Sequence, residues 1–460
     1  MLLLLNIIII NFVHSIIVLP LRKAYSNINL TNSYEFINYF LSDYLYTIVK
    51  IGEPFQDLEL YLKEEVTVFS INSLFCNLNE FYDRNTSKTF INLTQFKENI
   101  FNFYDCCIAE ESFHFYTDLD LQKEIKLDKI KFIYEKEKKV RNEIYNNCGQ
   151  IGLGFINYYN EKNDYDFIME LKKLGFINEY TWTIKFTKND KNDNNIEGYL
   201  IIGDYPHIYD NYNYKEINLR GTLNNIEENN WNFEFKKITV NDTQLTHYMI
   251  GVISFNNNYI TGTEEYKATI NMMFFNKYID EGICFDDNIN SHYFLFYCKS
   301  KDFYKKDIDE FPSLNFYHFQ YNFTFSFNGS DLFFEKNGYY YFLVIFDRYN
   351  YRNWNLGKLF LKKYQLIFNP DSKMINYYIE NYGISINEED QIINKDIIIL
   401  ILIVIIIISF IVGTIIGRSI YNNKKKKAKE MKEEYLFKKS KTFEDSDKIE
   451  QNKIIDSINS

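Results

Sequence analysis

The chain has 460 residues and a mass of 55.5 kDa, more than one ordinary core accommodates, and its 46% hydrophobic and 18% aromatic content excludes global disorder. A formal charge of −11 argues against a nucleic-acid binder, and 17 Gly with 5 Pro exclude collagen-like and low-complexity classes. Ala is nearly absent (Ala24, Ala109, Ala268 and Ala428) while Asn, Ile, Lys and Tyr abound. That bias of base composition weakens arguments from Asn as a turn former or Ile as a strand former.

The apolar run Leu2 to Leu19 is broken only by Asn6, Asn11, His14 and Ser15 and has no basic start. It reads as a secretory leader over residues 1–24, with an uncleaved anchor or a core segment as the other readings. From about Tyr39 to Ile379 the pattern is one of short strands, among them Tyr44 to Ile51, Leu58 to Leu62, Thr183 to Phe186, Tyr199 to Ile202 and Asn322 to Phe327. Helical periodicity is confined to Phe167 to Leu174, which stops at the potential C-cap Gly175, and to Ile270 to Ile279. The expected class is therefore mostly β over two lobes.

Residues 381–396 are a polar linker, and residues 397–417 carry no charge over 21 positions. A helix of that length spans a ~30 Å hydrocarbon core, so a single transmembrane helix is expected, a buried soluble helix being the alternative. Arg418 and then Lys424, Lys425, Lys426, Lys427 and Lys429 follow at once, which places residues 418–460 in the cytoplasm. From Arg418 onward 12 Lys+Arg face 8 Asp+Glu, a net +4 that leaves −15 for the rest. The lysine cluster suits anionic lipid or serves as a plain stop-transfer flank.

All six Cys (Cys76, Cys106, Cys107, Cys148, Cys284 and Cys298) precede that segment, which fits disulfides in an oxidising compartment. Cys284 and Cys298 are expected to pair and close a short loop; the pairing of the other four stays open. A metal site is the alternative, but no Cys-x-x-Cys or His-x-x-x-His spacing occurs, and no cofactor motif is present. Sequons at Asn29, Asn85, Asn92, Asn241, Asn322 and Asn328 are glycosylation candidates on the same side.

Five short signatures then occur in a fixed order: Ile51-Gly52-Glu53-Pro54-Phe55-Gln56-Asp57, Gln150-Ile151-Gly152-Leu153-Gly154-Phe155, Gly198 to Asp204, Trp231-Asn232-Phe233, and Trp354-Asn355-Leu356-Gly357 running on to Phe368. The series resembles the pepsin-like aspartic proteases over residues 38–380. The resemblance implies a bilobal pepsin-like fold, with an N-lobe at about 38–190, a C-lobe at about 191–380 and a cleft between them. It also makes Ile151-Gly152 and Leu356-Gly357 supports for two active loops, where glycine is needed because backbone passes close.

Aspartic proteolysis needs two carboxylates that share a proton, one acting as base on a water and the other as acid. No Asp-Thr-Gly or Asp-Ser-Gly occurs in the chain. Counting from Gly52 puts Lys63 at the first Asp position, and counting back from Ile260-Thr261-Gly262 puts Ser254 at the second. A register slip does not restore the site, because no Asp lies between Asp242 and Asp280. Tyr104 is the counterpart of the flap tyrosine, without the glycines around it. Glu64 and Glu65 read as an exposed acidic loop, since neighbours on a strand point to opposite faces. Lys63 and Ser254 are expected to face each other across the cleft floor. A Ser-Lys hydrolase is disfavoured there because the adjoining Glu64 and Glu65 would keep the ammonium charged.

The reading is a membrane-anchored, non-catalytic pepsin-fold protein that takes a peptide or protein ligand, without cofactor, metal or nucleic acid. It would sit in a secretory-pathway or cell-surface membrane with its large domain outside. The alternatives are an active membrane-bound aspartic-type endopeptidase with displaced catalytic residues, and an interaction protein that uses its outer surface.

Overall fold

The computed structural model describes residues 16–23, 44–64, 66–72, 82–94, 106–135, 149–154, 166–187, 196–223, 230–289, 293–318, 320, 322–347, 353–379, 413, 417–418, 421–436 and 438–439. Residues 1–382 form one compact unit, and residues 383–460 are a separate one. The first half of the large unit contributes β1 (Ile17–Lys23), β2 (Leu45–Ile51), β3 (Gln56–Lys63), β4 (Ser70–Asn72), β5 (Ile91–Asn92), β6 (Cys106–Tyr116), β7 (Glu124–Glu135), β8 (Gly149–Gly152), β9 (Trp182–Phe186) and β10 (Ile196–Ile202). The second half contributes β11 (Leu219–Leu223), β12 (Asn232–Val240), β13 (Thr243–Ile253), β14 (Ile260–Gly262), β15 (Cys284–Ile289), β16 (Tyr293–Lys299), β17 (Leu314–His318), β18 (Phe323–Phe327), β19 (Phe333–Lys336), β20 (Tyr339–Phe342), β21 (Val344–Asp347), β22 (Asn353–Leu356), β23 (Leu366–Asn369) and β24 (Met374–Tyr378).

Two sheets hold these strands. The first runs β11-β24-β23-β9-β10-β1-β2-β3-β8-β4-β7-β6-β5, and the second runs β18-β17-β12-β13-β22-β14-β21-β16-β20-β19 with β15 on β16. The mostly β, bilobal expectation holds, and the period-2 signal is visible in burial. In β2, Leu45, Thr47, Val49 and Ile51 point inward while Tyr46, Ile48 and Lys50 are half-exposed. The antiparallel stretch β11-β24-β23-β9-β10-β1 takes three strands from each half of the chain and so joins the lobes. Aromatic rings fill the core around it: Trp182 stacks on Phe368 with centroids 4.0 Å apart, and Trp231 meets Phe368 at 5.1 Å.

The strand order also repeats. In the first lobe β2-β3-β8-β4-β7 pair antiparallel, parallel, antiparallel and parallel. In the second β12-β13-β22-β14-β21 pair in the same sequence of directions. Each lobe thus passes one strand into the junction, turns, and leaves on the far side of a single support strand.

Several expectations are corrected. Residues 17–23, read as part of a leader, form β1, which pairs with β10 on one side (Ile17 opposite Ile202) and β2 on the other, with Val18 and Leu21 fully buried. The folded domain therefore begins upstream of residue 38, and a leader running to residue 24 is incompatible with this sheet. The second helical segment starts earlier than expected, at Glu264. The Thr263 hydroxyl caps the amide of Tyr266, and the helix continues through a π turn at Asn271–Phe275 to Asp280. The first helix, Phe167–Lys173, ends as expected at Gly175, whose φ of +75° closes a Schellman pair, Phe176 N–H to Leu171 O and Gly175 N–H to Lys172 O.

Cys284 and Cys298 form the expected disulfide across β15 and β16. Cys106 and Cys107 are buried on β6, while Cys76 and Cys148 lie outside the described residues. Of the sequon asparagines, Asn85, Asn92, Asn241, Asn322 and Asn328 are exposed, and Asn29 lies outside the described residues. Most of 397–417 also lies outside them; among the described residues no helix is long and apolar enough to cross a membrane. The helix over 421–436 is exposed throughout.

Candidate functional site

The junction loops are built alike. Strand β3 runs parallel to β8 with Leu62 opposite Ile151, and β13 runs parallel to β22 with Ile253 opposite Leu356. The next residues, Lys63 and Ser254, therefore hold equivalent positions, one in each lobe. Each is followed by a short connection before β4 or β14. The two support glycines lie against those connections. A Cβ on Gly152 would stand 2.5 Å from the Val68 nitrogen and 2.6 Å from the Val66 oxygen. One on Gly357 would stand 2.5 Å from the Asn257 oxygen and press into the Tyr259 oxygen. A methyl group has no room at either place, which is the physical requirement behind the two apolar-Gly pairs.

The contents of the loops differ. Glu64, read as exposed, is buried at 7% exposure and reaches across to the other lobe. Its Oε1 accepts from the Ser254 hydroxyl at 2.7 Å, and its Oε2 accepts from the Asn256 amide in a short hydrogen bond. Asn257 Nδ2 donates to Ser254 Oγ at 3.0 Å. Alternation along β3 separates Glu64 from Lys63, whose ammonium lies 4.3 Å above the ring of Tyr44. The group that meets Ser254 is thus Glu64, not Lys63. Phe255 is fully buried and packs edge-on to Trp182 at 6.1 Å. Trp231 Nε1 donates to the Leu153 carbonyl at 2.9 Å, next to one support glycine. Lys358, next to the other, is fully buried, and its amide donates to the Asn257 carbonyl at 2.6 Å.

Chemically, the cluster has one carboxylate with a donor on each oxygen, and a serine whose hydroxyl gives its proton to that carboxylate while accepting from an amide. Residues 254–259 contain no acidic side chain, so the second loop cannot supply the other half of a proton-sharing pair. Glu65 and Tyr104, the other residues singled out here, lie outside the described residues. Among the described residues no group of three or more His, Cys, Asp and Glu side chains could hold a metal ion. Glu64, Asn256 and Asn257 were missed as a bridging set; the signal available for them was the strand alternation that turns Glu64 away from Lys63.

A second cross-lobe tie is ionic. Glu197 on β10 meets Lys362 on the helix Lys358–Lys363 at 2.6 Å and Lys23 on β1 at 2.9 Å. Burial pushes the Glu197 carboxyl up, but the two ammonium groups outweigh it and hold the group below its ordinary value.

Solved structures that resemble this chain include two globulins. Basic 7S globulin from soybean aligns with a TM-score of 0.55 at 13% identity, over 80% of this chain and 97% of its own. Conglutin gamma, a basic 7S globulin from lupine seeds, aligns with a TM-score of 0.57 at 11% identity, over 80% of this chain and 96% of its own. No family model and no curated protein matches the sequence. At these identities the likeness is one of fold, and it agrees with the mostly β, bilobal pepsin-like architecture.

Proposed function

We propose that this chain is a non-catalytic pepsin-fold protein, anchored in a membrane by residues 397–417, whose interlobe cleft receives a peptide or protein ligand. One observation carries the reading. The positions that need two carboxylates hold Lys63 and Ser254, and the carboxylate beside them, Glu64, is committed to Ser254 and Asn256 of the opposite lobe. A carboxylate held by neutral donors of the other lobe is not one of two carboxylates sharing a proton, and an ammonium has hydrogens to give but no lone pair with which to take a proton. That two solved structures sharing the fold are named as seed globulins adds support. The uncharged run 397–417, its basic flank and the disulfide support the anchored, outward-facing topology.

The test is peptide cleavage by the purified chain at acid and neutral pH, with pepstatin and a fluorophosphonate as probes. Neither turnover nor labelling is expected. Pepstatin-sensitive cleavage would restore the endopeptidase alternative, and fluorophosphonate labelling at Ser254 would make the Ser254–Glu64 pair a nucleophile and base.

A further inference from the structure

The helix over 421–436 is exposed along its whole length, and its four large apolar side chains are wide open: Tyr421 at 66%, Met431 at 66%, Tyr435 at 67% and Leu436 at 56%. They are not scattered around it. At ~100° per residue, Met431, Tyr435, Ala428, Tyr421 and Leu436 fall within an arc of about 140°. Lys424, Lys425 and Lys432 stand in the same arc, and no acidic residue does. The glutamates of the helix, Glu430, Glu433 and Glu434, lie on the other side.

The ion pairs sharpen that division. Lys426 meets Glu430 at 4.0 Å, Lys429 meets Glu433 at 3.9 Å and Lys438 meets Glu434 at 2.8 Å, each four positions apart. The lysines so neutralised lie outside the arc. Among the described residues no carboxylate pairs with Lys424, Lys425 or Lys432. One face therefore offers apolar side chains and uncompensated cations together.

We propose that this face lies in the plane of an anionic lipid leaflet, with Tyr421, Met431, Tyr435 and Leu436 at the boundary of headgroups and acyl chains and the three ammonium groups on lipid phosphates. Charge complementarity selects that occupant, since six Lys stand against three Glu between 421 and 436. A lysine can lay its stem along the apolar stripe while its charge reaches the headgroups, and tyrosine favours that boundary. A second copy of the helix fits worse. The heptad that joins Tyr421, Ala428 and Tyr435 puts Lys424 and Lys438 at the other seam position, where a coiled coil would bury them. The inference goes beyond anchoring by 397–417 and does not require it, because the charge of the helix draws it to the same surface from solution.

The test uses the full chain with vesicles of phosphatidylcholine, alone or with an equal part of phosphatidylserine, part of the phosphatidylcholine being brominated in both. Two variants, Tyr435→Trp in the stripe and Asn423→Trp on the other side, are read as differences from the parent protein. With phosphatidylserine the added Trp at 435 is expected to be quenched at least twofold more than that at 423 and to emit at shorter wavelength. Replacing Lys424, Lys425 and Lys432 together by Gln, or raising the salt, should remove that excess. Equal quenching at the two positions, or an excess that is the same without phosphatidylserine, overturns the proposal and leaves the stripe to a soluble partner. Flotation with phosphatidylcholine alone reports the anchor separately. Its loss, with the excess quenching kept in the mixed vesicles, would remove the anchor and leave this inference standing.

Discussion

The two lobes carry the same frame around different loops. Both pass a strand into the junction, turn, and return beside a support strand with a glycine at or just past its end, Gly152 or Gly357. In the first lobe the turn delivers a carboxylate, Glu64; in the second it delivers neutral donors, Ser254 and Asn256, and a core aromatic, Phe255. A symmetric catalytic pair would need the same chemistry from both sides. This molecule has complementary chemistry, acceptor against donor, and complementary groups hold lobes together better than they move protons. The frame is retained independently of the reaction it would serve.

Breaking the frame should cost most. Gly357→Ala and Gly152→Ala each force a methyl into backbone, and each is expected to lose about 3 kcal/mol in chemical denaturation. Equal losses in the two lobes would confirm that the supports are equivalent; a near-neutral result at either would show that its loop can move aside. Next comes Glu64→Ala, which removes the acceptor of both cross-lobe bonds and should lose about 2 kcal/mol, with Glu64→Gln closer to the parent. Should Ser254→Ala in the Glu64→Ala background cost as much as it does alone, the two residues are not coupled.

Glu197→Gln tests the other tie between lobes, with an expected loss of about 1 kcal/mol because both lysines can still reach water. The sign with pH is fixed by the depressed carboxyl. Its contribution is present at neutral pH and is lost as pH falls through the folded-state value, because the unfolded chain takes up the proton first. Thermal melts from pH 7 down to pH 3 should therefore converge for parent and variant; a gap that widened toward acid would contradict the assignment. Smallest is Lys63→Ala, whose half-exposed cation–π contact with Tyr44 is worth roughly 0.5 kcal/mol. A loss above about 2 kcal/mol would mean that Lys63 holds up the cleft floor.

What the sequence disclosed follows from distance along the chain. Gly152 and Gly357 could be recognised because a glycine after an apolar residue in a fixed motif states a local steric need. The two positions where a dyad would be expected could be counted because their anchors are near them. The Glu64 bridge was hidden, since its partner Ser254 is 190 positions away, and alternation shows that Glu64 and Glu65 diverge without saying which one turns to the other lobe. Residues 17–23 were misread for a different reason: a run such as Ile16-Ile17-Val18-Leu19 satisfies the composition of a leader and of a doubly flanked strand equally well.

That strand also sets a timetable. β1 is made first, yet its partner β10 ends at Ile202. At ordinary elongation rates of about 5–20 residues per second, roughly 10–40 s pass between the appearance of Ile17 and that of Ile202. Throughout that interval an apolar, β-prone segment lacks the strand that pairs along most of its length, since β2 and β6 meet it only at Arg22, Lys23 and Val18; this is the condition under which nascent chains pair with one another. Production of this protein is therefore expected to depend on a chaperone that shields the first strand until the middle of the chain arrives.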